Sequence, residues 1–154
     1  PVVMLSPGDP AAELADEFAA LPLLDDPVAA GEPREVQERH VAGYGIVHRN
    51  WCPNPERSVF LRVRGDSMVP TLPDGAFVCV DTSAMDPESA IGRVVLIITR
   101  DGEATLKRLR RTDRGEWVGI PENLTDENRP VYIEEGDRLV GVLGSVHSWV
   151  RYVL

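Results

Sequence analysis

The sequence predicts a mostly β domain that is preceded by a short helix and an extended arm. After Arg34 the chain alternates short apolar runs with turn signals, which is typical of an all-β domain and not of alternating strands and helices. Between Leu21 and Pro33, three prolines rule out a helix and favour extended chain. The 154 residues suffice for one core of ordinary size. We therefore divide the chain into an N-terminal segment, residues 1–33, and a β domain, residues 34–154.

The N-terminal segment is predicted to be a short helix followed by a linker. Over residues 7–20, Leu14 and Phe18 are spaced four apart and share one face of a helix. The arm that follows, residues 21–33, contains the three prolines and has no core of its own. Its composition therefore indicates a mobile linker.

The β domain is divided into strands by turns rich in glycine, proline and aspartate. Residues 93–99 form the most apolar of these strands and are expected to be buried on both faces. Because a hairpin turn at residues 100–103 follows, Lys107 falls in the middle of the returning strand. The predicted strands cover residues 59–63, 77–81, 93–99, 104–110, 116–120, 131–133, 138–143 and 145–153.

The charge of the chain excludes a strong DNA-binding surface. The net charge is −9, and residues 1–33 contain seven acidic residues and no basic residue. Residues 34–154 contain eighteen acidic and sixteen basic residues. Neither part has the basic footprint that sequence-independent DNA binding requires. If the protein acts at DNA, another part of it makes the contact.

The cysteines and histidines show no disulfide or metal-binding pattern. Cys52 and Cys79 are too few for a disulfide framework, and the three histidines are scattered at His40, His48 and His147. We therefore expect no metal, no cofactor and a reducing cytoplasmic location. No apolar run approaches the roughly 20 residues that cross a bilayer. No signal segment opens the chain, so no membrane contact is expected.

Ser67 lies in a stretch where the backbone is tightly specified. Gly65 on one side, and Pro70 and Pro73 on the other, fix the chain around this small hydroxyl residue. Lys107 is the second unusual residue, because every other basic residue of the chain is an arginine. Arginine keeps its proton at any accessible pH, whereas a buried lysine can lose it. We interpret the pair as a serine nucleophile and a neutral lysine that acts as its general base.

A lysine can act as a base near neutral pH only where desolvation lowers its pKa. The apolar strand opposite Lys107 in the predicted hairpin provides such surroundings. Considered separately, each residue also has a plain structural explanation, Ser67 as a turn serine bonded to the local backbone and Lys107 as a solvated residue in a basic run. A Ser–His–Asp triad is a weak competitor, because Asp66 is adjacent to Ser67 and is not placed to orient a histidine.

Several motifs around these residues occur in the same order in a known family. They are Gly65-Asp66-Ser67-Met68, Pro70-Thr71-Leu72, Asp74-Gly75 and Thr105-Leu106-Lys107-Arg108-Leu109, then Pro121-Glu122-Asn123 after a strand, and earlier the string Val28-Ala29-Ala30-Gly31-Glu32-Pro33. From Leu21 to the C-terminus the chain resembles the LexA/UmuD/phage CI family of self-cleaving serine–lysine proteins, whose cleavage string is the same. The resemblance implies a LexA/signal-peptidase-like β-ribbon fold with twisted, partly barrel-like sheets.

The resemblance also assigns roles to individual residues. It implies that Ser67 attacks the carbonyl of Ala30 while neutral Lys107 takes the serine proton. Backbone N–H groups of Asp66 and Ser67 are then expected to bind the oxyanion. Gly31 is expected to permit the bend that follows the cleaved bond. The predicted cleavage site is therefore the Ala30–Gly31 bond of the same chain.

The partners implied by the resemblance are a second copy and an inducer. The family dimerises through its last strands, which predicts a homodimer joined through residues 138–154, where apolar residues continue to the last position. A RecA–single-strand DNA filament is the implied inducer after DNA damage. DNA would be bound only through a domain that is not in this chain, because no helix-turn-helix is present in these residues.

We interpret the chain as the C-terminal self-cleaving and dimerisation domain of a LexA/CI-like transcriptional repressor in the DNA-damage (SOS) response. One alternative is a UmuD-like accessory factor of an error-prone polymerase, which also lacks a DNA-binding domain. A signal-peptidase-like enzyme shares the serine box and the lysine base but needs a membrane anchor. A binding module could keep the fold and no longer cleave. Residues 42–57 have no clear counterpart in LexA itself.

Overall fold

The computed structural model describes residues 3–5 and 17–146 of the chain. The strands are β1 (Val3–Leu5), β2 (Phe18–Leu24), β3 (Val41–His48), β4 (Ser58–Arg62), β5 (Phe77–Ala84), β6 (Val94–Ile98), β7 (Ala104–Arg111), β8 (Trp117–Ile120), β9 (Val131–Tyr132) and β10 (Arg138–Val146). The helices are α1 (Arg34–Gln37) and α2 (Pro87–Ala90), with 3-10 turns at Pro27–Gly31, Glu38–His40, Arg49–Trp51 and Pro55–Arg57. No helix in the described part of the chain is long and apolar enough to span a bilayer.

The described strands form one open sheet, so the predicted mostly β fold is confirmed. Their order is β1-β3-β2-β4-β5-β10-β6-β7-β8-β9, and only β2 and β4 run parallel to each other. Strand β10 joins the two halves of the sheet. Its first residues, Arg138 to Gly141, pair with β6, and residues 140–146 pair with β5.

The hairpin that carries Lys107 lies as predicted. Strands β6 and β7 pair antiparallel, with Lys107 opposite Val95. Residues 95–98 are buried, as expected for a strand covered on both faces. The last predicted strands differ in one respect, because β10 continues through Gly144 to Val146 where a break was expected. A register shift between Val142 and Gly144 accommodates the glycine without ending the strand. Residues 147–154 lie outside the described part of the chain.

The end of the predicted N-terminal helix is a strand in the structure. Residues 6–16, including Leu14, lie outside the described residues, but Phe18, Ala19 and Ala20 belong to β2. This strand pairs antiparallel with β3 along its length and buries Ala19, Leu21 and Leu24. Strand β3 forms ladder hydrogen bonds with alternate residues along the segment, and this tertiary pairing outweighs the helical spacing of two apolar residues.

Strand β3 was not predicted, because its alternating pattern is concealed by glycine. The buried positions of the strand are Gly43, Gly45 and Val47, so only one of the three carries a large apolar side chain. The 3-10 turns at Arg49–Trp51 and Pro55–Arg57 then lead to β4. Residues 42–57 are therefore an ordered part of the sheet and its connections.

The arm is not the mobile linker that its composition indicated. Beyond β2 it folds into the 3-10 turn Pro27–Gly31, where the Asp26 carboxylate accepts a 3.0 Å hydrogen bond from the Val28 N–H. Leu24, Ala29 and Ala30 are all 2% exposed or less. The two alanines are small enough to enter the main core against the sheet. The prediction of a mobile linker was therefore wrong, because the arm shares the core of the β domain. The division of the chain at residue 33 stays a prediction.

The main core lies beneath both the arm and the loop that contains Ser67. Met68 and Leu72 of this loop and Ala29 and Ala30 of the arm belong to one buried cluster. The other buried members of the cluster are Leu24, Val59, Leu61, Val63, Ala76, Val78, Val80, Leu96, Ile98 and Val140. Two segments that are distant in sequence are thus packed on the same apolar base.

Candidate active site

Ser67 is carried by a closed loop between β4 and β5. The Val63 N–H donates to the Ala76 carbonyl at 2.7 Å, and the Gly75 N–H donates to the Val63 carbonyl at 2.8 Å, which joins the two ends of the loop. Gly75 has φ +84°, a conformation that favours glycine. Met68 is buried below the loop while the neighbouring Ser67 is half-buried. The serine side chain is therefore held at the surface of the core.

The loop between β8 and β9 fastens the backbone on either side of Ser67. The Asn123 N–H donates to the Ser67 carbonyl at 3.0 Å, and the Asn123 side-chain amide donates to the Asp66 carbonyl at 3.2 Å. The Asp66 carboxylate accepts from the side chains of Asn123 at 3.2 Å and Asn128 at 2.9 Å. Because a trans peptide points its C=O and N–H in opposite directions, the bond from Asn123 to the Asp66 carbonyl also fixes the direction of the Ser67 N–H.

Glu122 ties the same loop to the strand of Lys107. Its carboxylate accepts hydrogen bonds from the Thr71 hydroxyl and from the Arg108 guanidinium, whose Nε lies 2.9 Å away. Burial works against the charged form of Glu122, yet the bonds from Thr71 and Arg108 and the Arg108 charge hold the pKa of this carboxyl below its usual value. Arg108 also donates to the Gly92 carbonyl at 2.8 Å. The arginine next to Lys107 is therefore engaged elsewhere.

The structure places Lys107 in contact with Ser67. The Lys107 Nζ lies 3.2 Å from the Ser67 Oγ, and the lysine side chain is buried, with only 5% of the residue exposed. Nζ also donates to the Thr105 Oγ1 at 2.7 Å and to the Leu106 carbonyl at 3.1 Å. Burial lowers the pKa of Lys107, because the charged ammonium loses hydration. The plain structural explanation, a solvated lysine in a basic run, does not fit this environment.

The three contacts of Nζ suit a neutral amine as well as an ammonium. A neutral lysine amine has two N–H groups and one lone pair, in place of the three donors of the charged form. If the two N–H groups are directed to Thr105 and Leu106, the lone pair is directed to the Ser67 hydroxyl. This arrangement can accept the serine proton, which is what a nucleophilic serine requires of its neighbour.

A cleft of about 240 Å³ opens beside this pair. Ser67, Met68, Thr105 and Leu106 line it, and Pro27 of the arm forms part of its wall. Strand β8 pairs only with residues 108–111 of β7, so no described strand pairs with that edge of residues 104–107. An extended peptide could form main-chain hydrogen bonds there.

The predicted cleavage site lies beside this region in a folded conformation. Ala30 is fully buried in the cluster that contains Met68, and the Glu32 N–H donates to the Ala29 carbonyl at 3.0 Å across the Ala30–Gly31 bond. A bend follows Gly31 at Glu32, but Gly31 does not have a positive φ, so a left-handed conformation is not the reason for glycine at this position. A Cβ at Gly31 would lie 2.8 Å from the Ile98 Cδ1. Glycine thus lets the arm backbone pass close to the Ile98 side chain.

Several residues of the site were not predicted from the sequence. Thr105 lies two positions before Lys107 on the same strand, so the alternation of side chains could have placed both on one face. Asn123 was noted only as part of a hairpin motif. Asn128 and Arg138 reach the site region from loops and strands that no local pattern connects with it.

Other kinds of site find less support in the described residues. His40 is bonded to Asp25 at 3.1 Å, and His48 accepts from the Asn50 N–H, so neither contacts Ser67. No group of three or more potential metal ligands occurs in the described ranges. A separate apolar cleft of about 330 Å³, which contains Trp51 and Leu143, shares no lining residue with the cleft at Ser67.

The described fold is an open, mostly β sheet on which a half-buried serine and a buried lysine lie in contact. The Peptidase S24-like family model matches residues 22–146, which is most of the chain. The chain therefore belongs to the Peptidase S24-like family, the peptidase domains of LexA, UmuD and CI proteins. The family implies serine peptidase activity. A search of curated proteins gives no match to this chain.

Proposed function

We propose that this chain is the self-cleaving and dimerisation domain of a LexA/CI-like repressor, and that it cuts its own Ala30–Gly31 bond. The observation that carries the proposal is the 3.2 Å contact between the Lys107 Nζ and the Ser67 Oγ, which lies beside the folded arm. The buried lysine has a lowered pKa, as a general base must. The substrate in this proposal is part of the same polypeptide.

In the first step the Ser67 hydroxyl transfers its proton to the Lys107 Nζ, and Oγ forms a bond to the carbonyl carbon of Ala30. The carbonyl oxygen becomes an oxyanion, which the N–H groups of Asp66 and Ser67 bind. Collapse of this intermediate breaks the C–N bond to Gly31, and the lysine ammonium returns its proton to the departing nitrogen. The products of this step are an ester at Ser67 and a new amino terminus at Gly31.

In the second step water hydrolyses the ester. Lys107, neutral again, takes a proton from the water as its oxygen attacks the Ala30 carbonyl carbon. The tetrahedral intermediate expels the Ser67 Oγ, which recovers its proton from the lysine. The chain is left as two pieces, residues 1–30 and 31–154, and the catalytic pair is restored.

Regulation in this proposal depends on the position of the arm. Ala30 is 37 residues from Ser67 in the same chain, so the tether keeps the cleavage site at a high effective concentration. A factor that favours the cleavage-ready position of the arm would then act as the inducer. By family resemblance we propose a RecA–single-strand DNA filament for this part, in a cytoplasmic SOS response. Separation of an upstream DNA-binding domain from this one would inactivate the repressor.

We also propose that the domain forms a homodimer through residues 138–154. Leu143 of this region is 38% exposed and lines an apolar cleft with Trp51, which is 60% exposed. Such exposed apolar side chains are typical of protein contacts. Sedimentation at micromolar concentration should give a dimer. A monomer at every attainable concentration would exclude this part of the proposal.

The test of self-cleavage is intact mass spectrometry of the purified protein after mild alkaline incubation. The expected products are residues 1–30 and 31–154, and Ser67→Ala should abolish them. Ser89→Ala is the matched control, because the Ser89 hydroxyl is exposed and bonded to the Asp86 carbonyl. Cleavage at another bond, or unchanged cleavage in Ser67→Ala, would disprove the proposal. A helix-turn-helix encoded upstream of Pro1 would favour a repressor over a UmuD-like polymerase factor.

A further inference from the structure

Arg138 connects the arm to the sheet. Its Nη1 donates to the Gly31 carbonyl at 3.1 Å, and its Nη2 donates to the Thr82 carbonyl at 2.7 Å. Gly31 and Arg138 are 107 residues apart in the chain, whereas Thr82 lies within the neighbouring strand β5. One guanidinium therefore holds a carbonyl of the arm beside a carbonyl of the sheet.

The position of Arg138 is itself firmly set. It begins β10 and pairs with Ile98, the residue against which Gly31 packs. The arginine side chain is half-buried, and its Nε is buried with no hydrogen-bond partner among the described residues. A buried N–H without a partner costs free energy, so stability alone does not account for a guanidinium at this place. What the side chain does accomplish is the connection between Gly31 and Thr82.

The other polar contacts of the 3-10 turn come from nearby in the sequence. Asp26 caps its first turn, and the Gln37 side chain donates to the Glu32 carbonyl at 2.9 Å. Asp26 belongs to the arm, and Gln37 follows it by four residues, so both can move with the arm. Arg138 belongs to the central strand of the sheet and cannot move with the arm. Beyond the burial of the two alanines, Arg138 is therefore a polar contact that ties the end of the 3-10 turn to the sheet.

We propose that Arg138 is a positioning residue for self-cleavage, which clamps the carbonyl of Gly31 and so holds the Ala30–Gly31 bond against the domain. This inference rests on the proposed function. Gly31 is the residue on the leaving side of the bond, so the clamp acts one residue beyond the carbonyl that Ser67 attacks. Arg138 contacts neither Ser67 nor Lys107 in the structure, and its role is to keep the arm docked.

Hydrogen exchange tests the clamp without requiring any cleavage. In a Ser67→Ala background, Arg138→Ala should speed exchange at the amides of residues 28–32, of which Val28, Ala29 and Glu32 are hydrogen-bonded in the turn. Exchange in β6 and β7 should stay as in the parent. Arg138→Lys serves as a second variant, because it keeps the charge but a single ammonium lacks the planar fork. It should give a smaller change of the same sign.

The rate of self-cleavage tests whether the clamp by Arg138 promotes the reaction. With Ser67 restored, Arg138→Ala should cleave roughly tenfold more slowly, as expected for loss of charge-assisted hydrogen bonds that hold the substrate. The pH at half-maximal rate should not move, because Lys107 is untouched. Arg100→Ala is the matched control, since Arg100 forms an exposed ion pair with Glu134 at the same end of the sheet. It should match the parent in both measurements.

The outcomes separate this inference from the proposed function. Faster exchange at residues 28–32 together with slower cleavage supports the clamp as a positioning device. Unchanged hydrogen exchange in Arg138→Ala overturns the clamp. Faster exchange with an equal or higher cleavage rate also overturns it, because the Arg138–Gly31 hydrogen bond would then hold the arm in a position that does not favour cleavage. If the parent protein never cleaves, the proposed function fails. The positioning role of Arg138 then fails as well, because no cleavage takes place. Faster exchange in Arg138→Ala would in that case show only that Arg138 holds the arm.

Discussion

The loop that carries Ser67 and the turn that carries the proposed cleavage site lie on the same core but are held in different ways. The Ser67 loop is joined at its base by backbone hydrogen bonds and is fastened from a third segment by Asn123 and Asn128. The turn at residues 27–31 is held by the burial of two alanines and by the fork of Arg138. The first region is anchored by polar contacts from distant segments, whereas most polar contacts of the second come from its own neighbours in the sequence.

Under the proposed function, this difference makes the loop of the proposed nucleophile the more rigid region and the proposed substrate segment the freer one. Alanine side chains bury little apolar area, so their contribution to docking is small at roughly 25 cal/mol per Å². Segments with few anchoring contacts open at a lower free energy than the parts around them. A preformed site with a weakly held substrate segment allows control through docking alone. The predictions that follow test each region separately.

The largest effect is expected from Lys107→Arg. Arginine keeps a positive charge and much of the packing but cannot act as a base, so self-cleavage should fall by at least roughly 10²–10⁴-fold. The measurement is the rate of Ala30–Gly31 cleavage against pH for both proteins. In the parent the rate should rise with pH as Lys107 loses its proton. Any variant rate near that of the parent would mean that lysine is not the base.

The sign of the pH dependence follows from the burial of Lys107. Burial lowers its pKa in the folded protein, so the cleavage rate should reach half its maximum below the value of about 10.4 that lysine has in water. The unfolded chain then holds a proton that the folded chain has lost. The free energy of unfolding of Ser67→Ala should therefore increase with pH between the lowered pKa and about 10.4. The absence of that increase in Ser67→Ala/Lys107→Met would identify the lysine as its source.

The second largest effect is expected in the arm, from Gly31→Ala. The added Cβ would lie 2.8 Å from the Ile98 Cδ1. Overpacking costs about 1–3 kcal/mol, and rotation of the Ile98 end keeps the cost near the lower limit, so cleavage should slow by about tenfold. Ile98→Val removes the methyl in question and should restore most of the rate in the double variant. If adding Ile98→Val to Gly31→Ala does not restore the rate, the contact with the Ile98 side chain is not the reason for glycine at position 31.

The local structure around Ser67 and Lys107 was predicted far better than that of the arm, and the physical reason is the range of the interactions. Glycine and proline near Ser67 fix the backbone locally, and the apolar strand opposite Lys107 is a near neighbour in a hairpin. Residues 18–24 became a strand only because β3 pairs with them, and the glycines of β3 conceal its own pattern. Interactions over long distances in the chain, such as Arg138 with Gly31, leave no local signal.

Thr105→Val should slow self-cleavage by an intermediate amount and should also shift its pH profile. Valine keeps the β-branched shape and removes the acceptor that lies 2.7 Å from the Lys107 Nζ. Loss of one hydrogen bond costs about 0.5–1.5 kcal/mol, so the maximal rate should fall by roughly fivefold. Because the hydroxyl favours the charged lysine, its removal should also shift the pH profile to lower pH. Thr112→Val, in an exposed turn, is the control, and a profile that shifts upward would contradict the assignment.

The smallest effect is expected from Asn128→Ala, which weakens the fastening of the Ser67 loop at its outer side. Asn128 donates to the exposed Asp66 carboxylate at 2.9 Å, while Asn123 continues to hold the Asp66 and Ser67 carbonyls. An exposed hydrogen bond of this kind contributes about 0.5 kcal/mol, so cleavage should slow by only about twofold. Exchange at residues 28–32 and the midpoint of the pH profile should both match the parent. Together with Gly31→Ala, this variant separates order in the loop from docking of the arm. A tenfold loss would mean that the Asp66 carboxylate is what orders the loop, and faster exchange in the arm would mean that the two regions are coupled.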